Sequence, residues 1–198
     1  MSGHPVDAPR CAWSAGAPEL LDYHDREWGF PVGDDVRLFE KLALETFQSG
    51  LSWRTILNKR EAFRRGFAEF EPALVAAFDG RDVERLLGDA GIVRHRGKIE
   101  AVVNNARRAL ELIEDEGSLA HYIWSFEPDP DEVAEPQSVS TSPSSIRLAK
   151  DLKGRGWRFV GPTTVFAFFQ SMGLVNDHTH DCVVRADCEG ARRSFTRP

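Results

Sequence analysis

A chain of 198 residues with 41% hydrophobic and 28% charged residues has material for one domain, or two small interleaved ones, around a real core. No apolar run approaches the roughly 18 residues that cross a membrane, and the first residues carry neither the basic nor the apolar part of a secretory signal. Three cysteines argue against a disulfide framework and for the cytoplasm, while a net charge of −6 argues, at face value, against a nucleic-acid partner. The sign is uneven, however. No Lys or Arg lies between Glu111 and Glu135, whereas Arg54, Lys59, Arg60, Arg64 and Arg65 cluster, as do Arg94, Arg96 and Lys98, and Arg147, Lys150, Lys153, Arg155 and Arg158. One basic face is enough for phosphate contact, although the same clusters also read as solvated helix faces.

The pattern is helical almost throughout. Asp34 and Asp35 can cap a helix carrying Leu38, Phe39, Leu42, Ala43 and Leu44 at helical spacing. Phe63, Phe67 and Phe70 fall at i, i+4 and i+7 and read as a core stripe. Pro72 suits the first turn of a helix running to about Phe78, where Asp79-Gly80 breaks it, and Val83, Leu86 and Leu87 mark another short helix. A longer helix spans roughly Arg96 to Glu114. The proline- and serine-rich stretch 127–145 reads as an extended surface loop whose serines cap a helix from Pro143 or Ser144. A Gly-Pro turn, Phe159 to Thr164, then opens an apolar helix through Val165, Phe166, Phe168, Phe169 and Met172. With no β-alternation and no internal repeat, an all-α protein is expected.

Three groups of residues carry chemistry. Cys11 with His24, and His178 with Cys182, have the ligand types of a closed, structural zinc site joining the two ends of the chain. The rival reading is a cysteine–histidine nucleophile pair, which needs an activated thiolate. Cys188 sits in a polar tail as a spare thiol. Glu45 ends an otherwise apolar helix face, so its carboxylate is costly to bury unless a cationic ligand or a base's N–H groups satisfy it; Trp13, Tyr23 and Trp53 offer faces on which a purine could stack. Helix-end solvation for Glu45 and core packing for the tryptophans are the plainer alternatives. The glycine turn before Thr163 presents free N–H groups to a DNA phosphate, or is only a turn.

Together these residues resemble the DNA-3-methyladenine glycosylase I family of bacterial alkylation-repair enzymes. The matching blocks are Cys11-Ala12-Trp13, Tyr23 to Gly29, Glu45, Gln48, Gly50 to Trp53, Asp89 to Ile99, Trp124 to Phe126, Phe159 to Gly161, and Gly173 to His178 with Cys182. The resemblance implies a helix-hairpin-helix glycosylase formed by residues 1–198 as one unit, with a helical core at 31–173, a hairpin near 157–164, and termini 1–30 and 174–198 stapled by zinc. It implies that Cys11, His24, His178 and Cys182 hold the metal. Glu45 would hydrogen-bond the methylated adenine, and Trp13, Tyr23 and Trp53 would line its pocket. Leu51 would wedge into the gap left by the flipped nucleotide, and Gly161 and Thr163 would meet the DNA backbone. The implied partner is double-stranded alkylated DNA, acted on by a cytoplasmic monomer without a protein partner. The implied reaction is hydrolysis of the N-glycosidic bond by water, with no Schiff base because no lysine matches a catalytic position. Asp177 is read as a structural residue that orients His178, with a catalytic role as the lesser alternative. Two positions depart from the family pattern: Leu20 stands where better-known members carry a further pocket tyrosine, and Phe47 replaces a polar residue of some relatives.

Overall fold

The helix at the centre of the fold, α2 (Asp35–Gln48), is buried on every face from Leu38 to Phe47. Asp34 starts it by accepting a hydrogen bond from the Arg37 N–H at 2.9 Å. A helix buried all round normally carries no charge, yet this one holds Glu40, Lys41 and Glu45, none more than 8% exposed. Glu40 pairs with Arg64 at 2.8 Å and Lys41 with Glu45 at 2.7 Å, which offsets desolvation costs of several kcal/mol per ion.

The computed structural model describes residues 4, 5 and 7–198, whose regular structure is entirely helical, as expected. α1 (Pro18–Arg26) precedes α2. After it come α3 (Trp53–Gly66), α4 (Pro72–Ala76), α5 (Gly80–Gly88), α6 (Arg96–Glu116), α7 (Leu119–Trp124), α8 (Pro143–Gly154), α9 (Pro162–Ser171) and α10 (Arg185–Ser194). α2 packs against α3, α6, α7 and α9, and the main core centres on Phe39, Phe47, Phe63, Phe67, Phe168 and Phe169. A smaller apolar cluster draws Cys11, Tyr23 and Trp28 from one end of the chain to Cys182, Val184 and Cys188 from the other. Trp53 packs against both clusters and joins them.

Local differences from the sequence pattern have physical causes. The phenylalanine stripe is not one helix face: α3 stops at Gly66, and Ala68, Glu69 and Phe70 take φ of 50°, 55° and 58°. Left-handed backbone costs about 1–2 kcal/mol per residue. Here the turn stacks Phe70 on Phe67 at 5.4 Å in full burial, which returns about 1.5–3 kcal/mol per ring. Asp79 does not end α4, which stops at Ala76; it starts α5 through a capping box with Asp82. α7 carries a cap that no local pattern reveals. The Asp35 carboxylate accepts from the Leu119 and Ala120 N–H groups at 3.1 and 2.8 Å.

Lys98 is not part of a basic surface, where its spacing from Arg94 and Arg96 put it. Its buried Nζ donates to the carbonyls of Phe47 at 2.9 Å and Ser49 at 2.5 Å, satisfying acceptors that the end of α2 leaves without helical partners. Lys98→Met is expected to cost about 1–3 kcal/mol, read as a lower urea midpoint with unchanged slope.

Candidate functional site

A cavity of about 300 Å³ opens where α1, α2 and α3 meet. Trp13, Tyr23, Trp28 and Trp53 supply aromatic walls, and Glu45 and Gln48 reach in from the last turn of α2. Glu45 points there because a helical turn separates it from Lys41, and Trp53 because Ser52 caps α3 by accepting from the Thr55 N–H at 3.2 Å. The sequence reading thus named four residues that the fold gathers: Trp13, Tyr23, Glu45 and Trp53. The opposite wall is Gln137, Val139, Ala167 and Gln170. Sequence reasoning missed it because it took 127–145 for a surface loop. One hint was available, since polar loops that fold back need buried partners. Asp177 is that partner: its carboxylate accepts from the Gln137 N–H at 3.0 Å and from Gln170 Nε2 at 2.6 Å. Asp177 therefore holds the far wall and does not orient His178, which instead meets Asn176 Oδ1 at 3.0 Å. Burial raises the Asp177 carboxyl against these hydrogen bonds. Leu20 does not line the cavity, and Phe47 lies in the core, packed on Phe63 at 4.6 Å.

Glu45 does not wait for a ligand's charge, as its isolation on an apolar face suggested. Lys41 Nζ lies 2.7 Å from Glu45 Oε1, donates to the Tyr23 hydroxyl at 2.9 Å, and sits 3.3 Å from the centre of the Trp53 ring. Burial lowers the Lys41 pKa against the pull of Glu45. Burial, then the Glu45 and Glu27 carboxylates, hold the Tyr23 hydroxyl well above its ordinary range, so it stays neutral. Lys41 lines a second, smaller space of about 20 Å³ behind Tyr23 and Trp53, with Glu27 and Arg60, themselves paired at 2.6 Å.

Beside the cavity, the sulfurs of Cys11 and Cys182 and a ring nitrogen of His24 lie within 4.8 Å of one another, all buried. His24 Nε2 faces Cys182 Sγ at 3.5 Å because Asp25 takes its Nδ1 at 2.8 Å, and Asp25 is fixed in turn by Arg10. Burial alone would raise the Asp25 carboxyl, but hydrogen bonds from Arg10 and His24 lower it. His178 is outside that tightest group. Its ring centre is 4.9 Å from that of His24, and its buried Nε2 has no hydrogen-bond partner. Burial, then His24, push His178 down to about 3, leaving a neutral imidazole. An orphaned neutral nitrogen beside two thiols and a carboxylate-oriented histidine fits a zinc donor set. Burial raises the Cys11 thiol and Cys11 does not line the cavity, which disfavours a cysteine nucleophile. Gly29 is required here: at φ 88°, a Cβ would stand 2.8 Å from the His178 ring. Cys188 is no spare tail thiol; it is fully buried on α10, 3.7 Å from the Trp28 carbonyl. The rings connect the two sites: Trp28 packs on His178 at 4.6 Å and Trp13 on His24 at 5.3 Å.

A third group lies at the turn between α8 and α9, which occupies residues 155–161 and leaves exposed Thr163 in the first turn of α9. Asn105 of α6 clamps it by accepting from the Arg158 N–H at 2.8 Å and donating to the Arg158 carbonyl at 2.9 Å. Thr46 of α2 donates to the Phe159 carbonyl at 3.4 Å, so the turn rests near the C-terminal end of α2, just before the α2–α3 turn that carries Leu51. Leu51 and Phe159 are 43% and 45% exposed, unusual for large apolar side chains. At Gly161 an added Cβ would meet open space. The first basic cluster is largely spoken for: Arg54, Arg60 and Arg64 pair with Glu19, Glu27 and Glu40, and Lys59 donates to the carbonyls of Ala90 and Gly91. Among the described residues, Arg94 and Arg158 have no carboxylate within ion-pair distance.

Comparison with known proteins places this geometry. The family model for methyladenine glycosylase matches residues 13–186. The DNA-3-methyladenine glycosylase 1 of Escherichia coli is 45% identical over 177 residues, covering 87% of this chain and 95% of that protein. The solved structure of 3-methyladenine DNA glycosylase I from Staphylococcus aureus superposes with a TM-score of 0.83 at 39% identity, over 88% of this chain and 95% of that one. A variant 3-methyladenine DNA glycosylase I in complex with 3-methyladenine aligns equally well, at TM-score 0.83 and 38% identity over 88% and 96% of the two chains. The chain belongs to the methyladenine glycosylase family.

Proposed function

We propose that this chain is a monofunctional DNA glycosylase that flips 3-methyladenine out of double-stranded alkylated DNA and hydrolyses its N-glycosidic bond. The observation that carries the reading is the cavity itself: a buried carboxylate beside four aromatic rings, with room for a purine. Methylation at N3 makes the base a good leaving group, so the protein's work is extraction, selection and placement of water rather than acid assistance. Glu45 gives one oxygen to Lys41 and faces the cavity, where its remaining acceptor capacity suits a base N–H. Lys41 lines the space behind the rings rather than the base cavity, and Glu45 and Tyr23 hold its Nζ. Water therefore remains the nucleophile.

Cys11, His24, His178 and Cys182 would hold zinc. A bound zinc with four protein ligands supplies a structural clamp, which would fix Trp13 and Trp28 through the histidines they pack on. Leu51, with Phe159 beside the turn, would fill the gap left by the flipped nucleotide, and Gly161 and Thr163 would present the start of α9 to a phosphate. The helical turn between α8 and α9 supports placing the chain in the helix-hairpin-helix superfamily. The enzyme would act as a monomer in the bacterial cytosol; no helix among the described residues is long and apolar enough to cross a membrane. Incubation with methylated duplex DNA, followed by chromatography of the freed bases, should yield 3-methyladenine and abasic DNA without strand cleavage. No release by a folded, DNA-binding protein would leave a binding module instead.

A further inference from the structure

Lys41 lies behind the pocket, in the rear space and outside the base cavity itself. Its Nζ touches the carboxylate, the hydroxyl and one ring that bound the cavity, at 2.7 Å from Glu45, 2.9 Å from Tyr23 and 3.3 Å from the Trp53 centroid. Tyr23 and Trp53 line both the base cavity and the smaller space that contains Lys41, so they form the partition between the two. A base stacked on the partition would feel the ammonium through the thickness of one ring. The other groups at that rear space are Arg37, Arg60 and Arg64, with Glu27 and Glu40, and the acids are paired to Arg60 and Arg64. Arg37 is exposed to solvent at its edge, and Lys41 pairs with Glu45.

We propose that Lys41 is a specificity-determining residue that fills, from inside the protein, the cation site made by Glu45 and the Trp53 face. This deepens the base-binding reading above and rests on it. A carboxylate and an electron-rich ring favour a positive ligand by Coulomb and cation–π attraction. With a fixed ammonium already on both, that preference is spent before a ligand arrives, and a second positive charge is repelled. The pocket then selects by shape, stacking and hydrogen bonding, and its ligand class widens from cationic methylpurines to neutral N- or C-alkylated purines of the same outline.

The test uses a matched pair of free bases: 3,9-dimethyladeninium, permanently charged, and its neutral 3-deaza isostere. Their dissociation constants are measured by tryptophan fluorescence on the wild type, Lys41→Met and Lys41→Gln. The wild type should bind the two within about threefold of each other, whereas Lys41→Met should favour the cation by about tenfold or more. Lys41→Gln keeps a hydrogen-bond donor for Glu45 and Tyr23 without the charge. It should show the same gain even if the methionine variant folds poorly. Affinity for the neutral isostere serves as the control for an intact pocket. An unchanged cation-to-neutral ratio in a variant that still binds the neutral base would overturn the role of Lys41 alone. Failure of the wild type to bind either base would overturn the base-binding reading together with it.

Discussion

Glu45→Gln is expected to lower kcat/KM for 3-methyladenine release by at least about a hundredfold, a loss of about 2.7 kcal/mol of transition-state stabilisation. The same substitution should destabilise the fold. It removes the partner of a lysine ammonium that is only 7% exposed, and breaking a buried pair from one side costs about 3 kcal/mol. In a domain of this size that is a fall in Tm on the order of 10 °C. The two losses come apart in the double variant Lys41→Met/Glu45→Gln. With both charges gone, no buried ion is stranded, so most of the stability should return while the activity does not. Restored activity in the double variant would show that Glu45 serves the ion pair and not the base.

Removal of the metal is the second large effect. Purified under reducing conditions, the protein should carry one zinc per chain by elemental analysis. Cys182→Ser should lose that metal together with several kcal/mol of stability. The consequence should reach the pocket, because Trp28 packs on His178 at 4.6 Å and Trp13 on His24 at 5.3 Å. Tryptophan emission should therefore shift on metal loss, and affinity for 3-methyladenine should weaken in parallel. A metal-free preparation with full stability, or a Cys182→Ser variant with unaltered fluorescence and base affinity, would contradict the clamp.

What the sequence made legible was whatever depends on local pattern or on residue type. The all-helical class followed from periodicity, and the start of α2 from Asp34. Trp13, Tyr23, Glu45 and Trp53 were picked out by chemistry and then by resemblance, and the fold brings them to one cavity. What escaped was long-range pairing. Lys41 stands in an apolar helical run with no local sign of a partner; only the packing around α2 shows that its charge is turned inward, onto Glu45 and Tyr23. Lys98 escaped for the same reason, its partners being carbonyls some fifty positions earlier in the chain. Cys188 looked polar by its neighbours, because Asp187, Glu189 and Gly190 lie around it on a helix whose inner face it occupies. The loop at 127–145 hid Gln137 and Val139, since the hint to its folding lies 40 positions away, in the Asp177 carboxylate that holds it over the pocket.

The most direct measurement is a crystal structure of this chain soaked with 3-methyladenine. The base should lie in the cavity, stacked against the partition of Tyr23 and Trp53, with an N–H within hydrogen-bond distance of Glu45 and Lys41 unmoved behind it. A base bound elsewhere, or in that cavity with Glu45 turned away from it, would contradict the account.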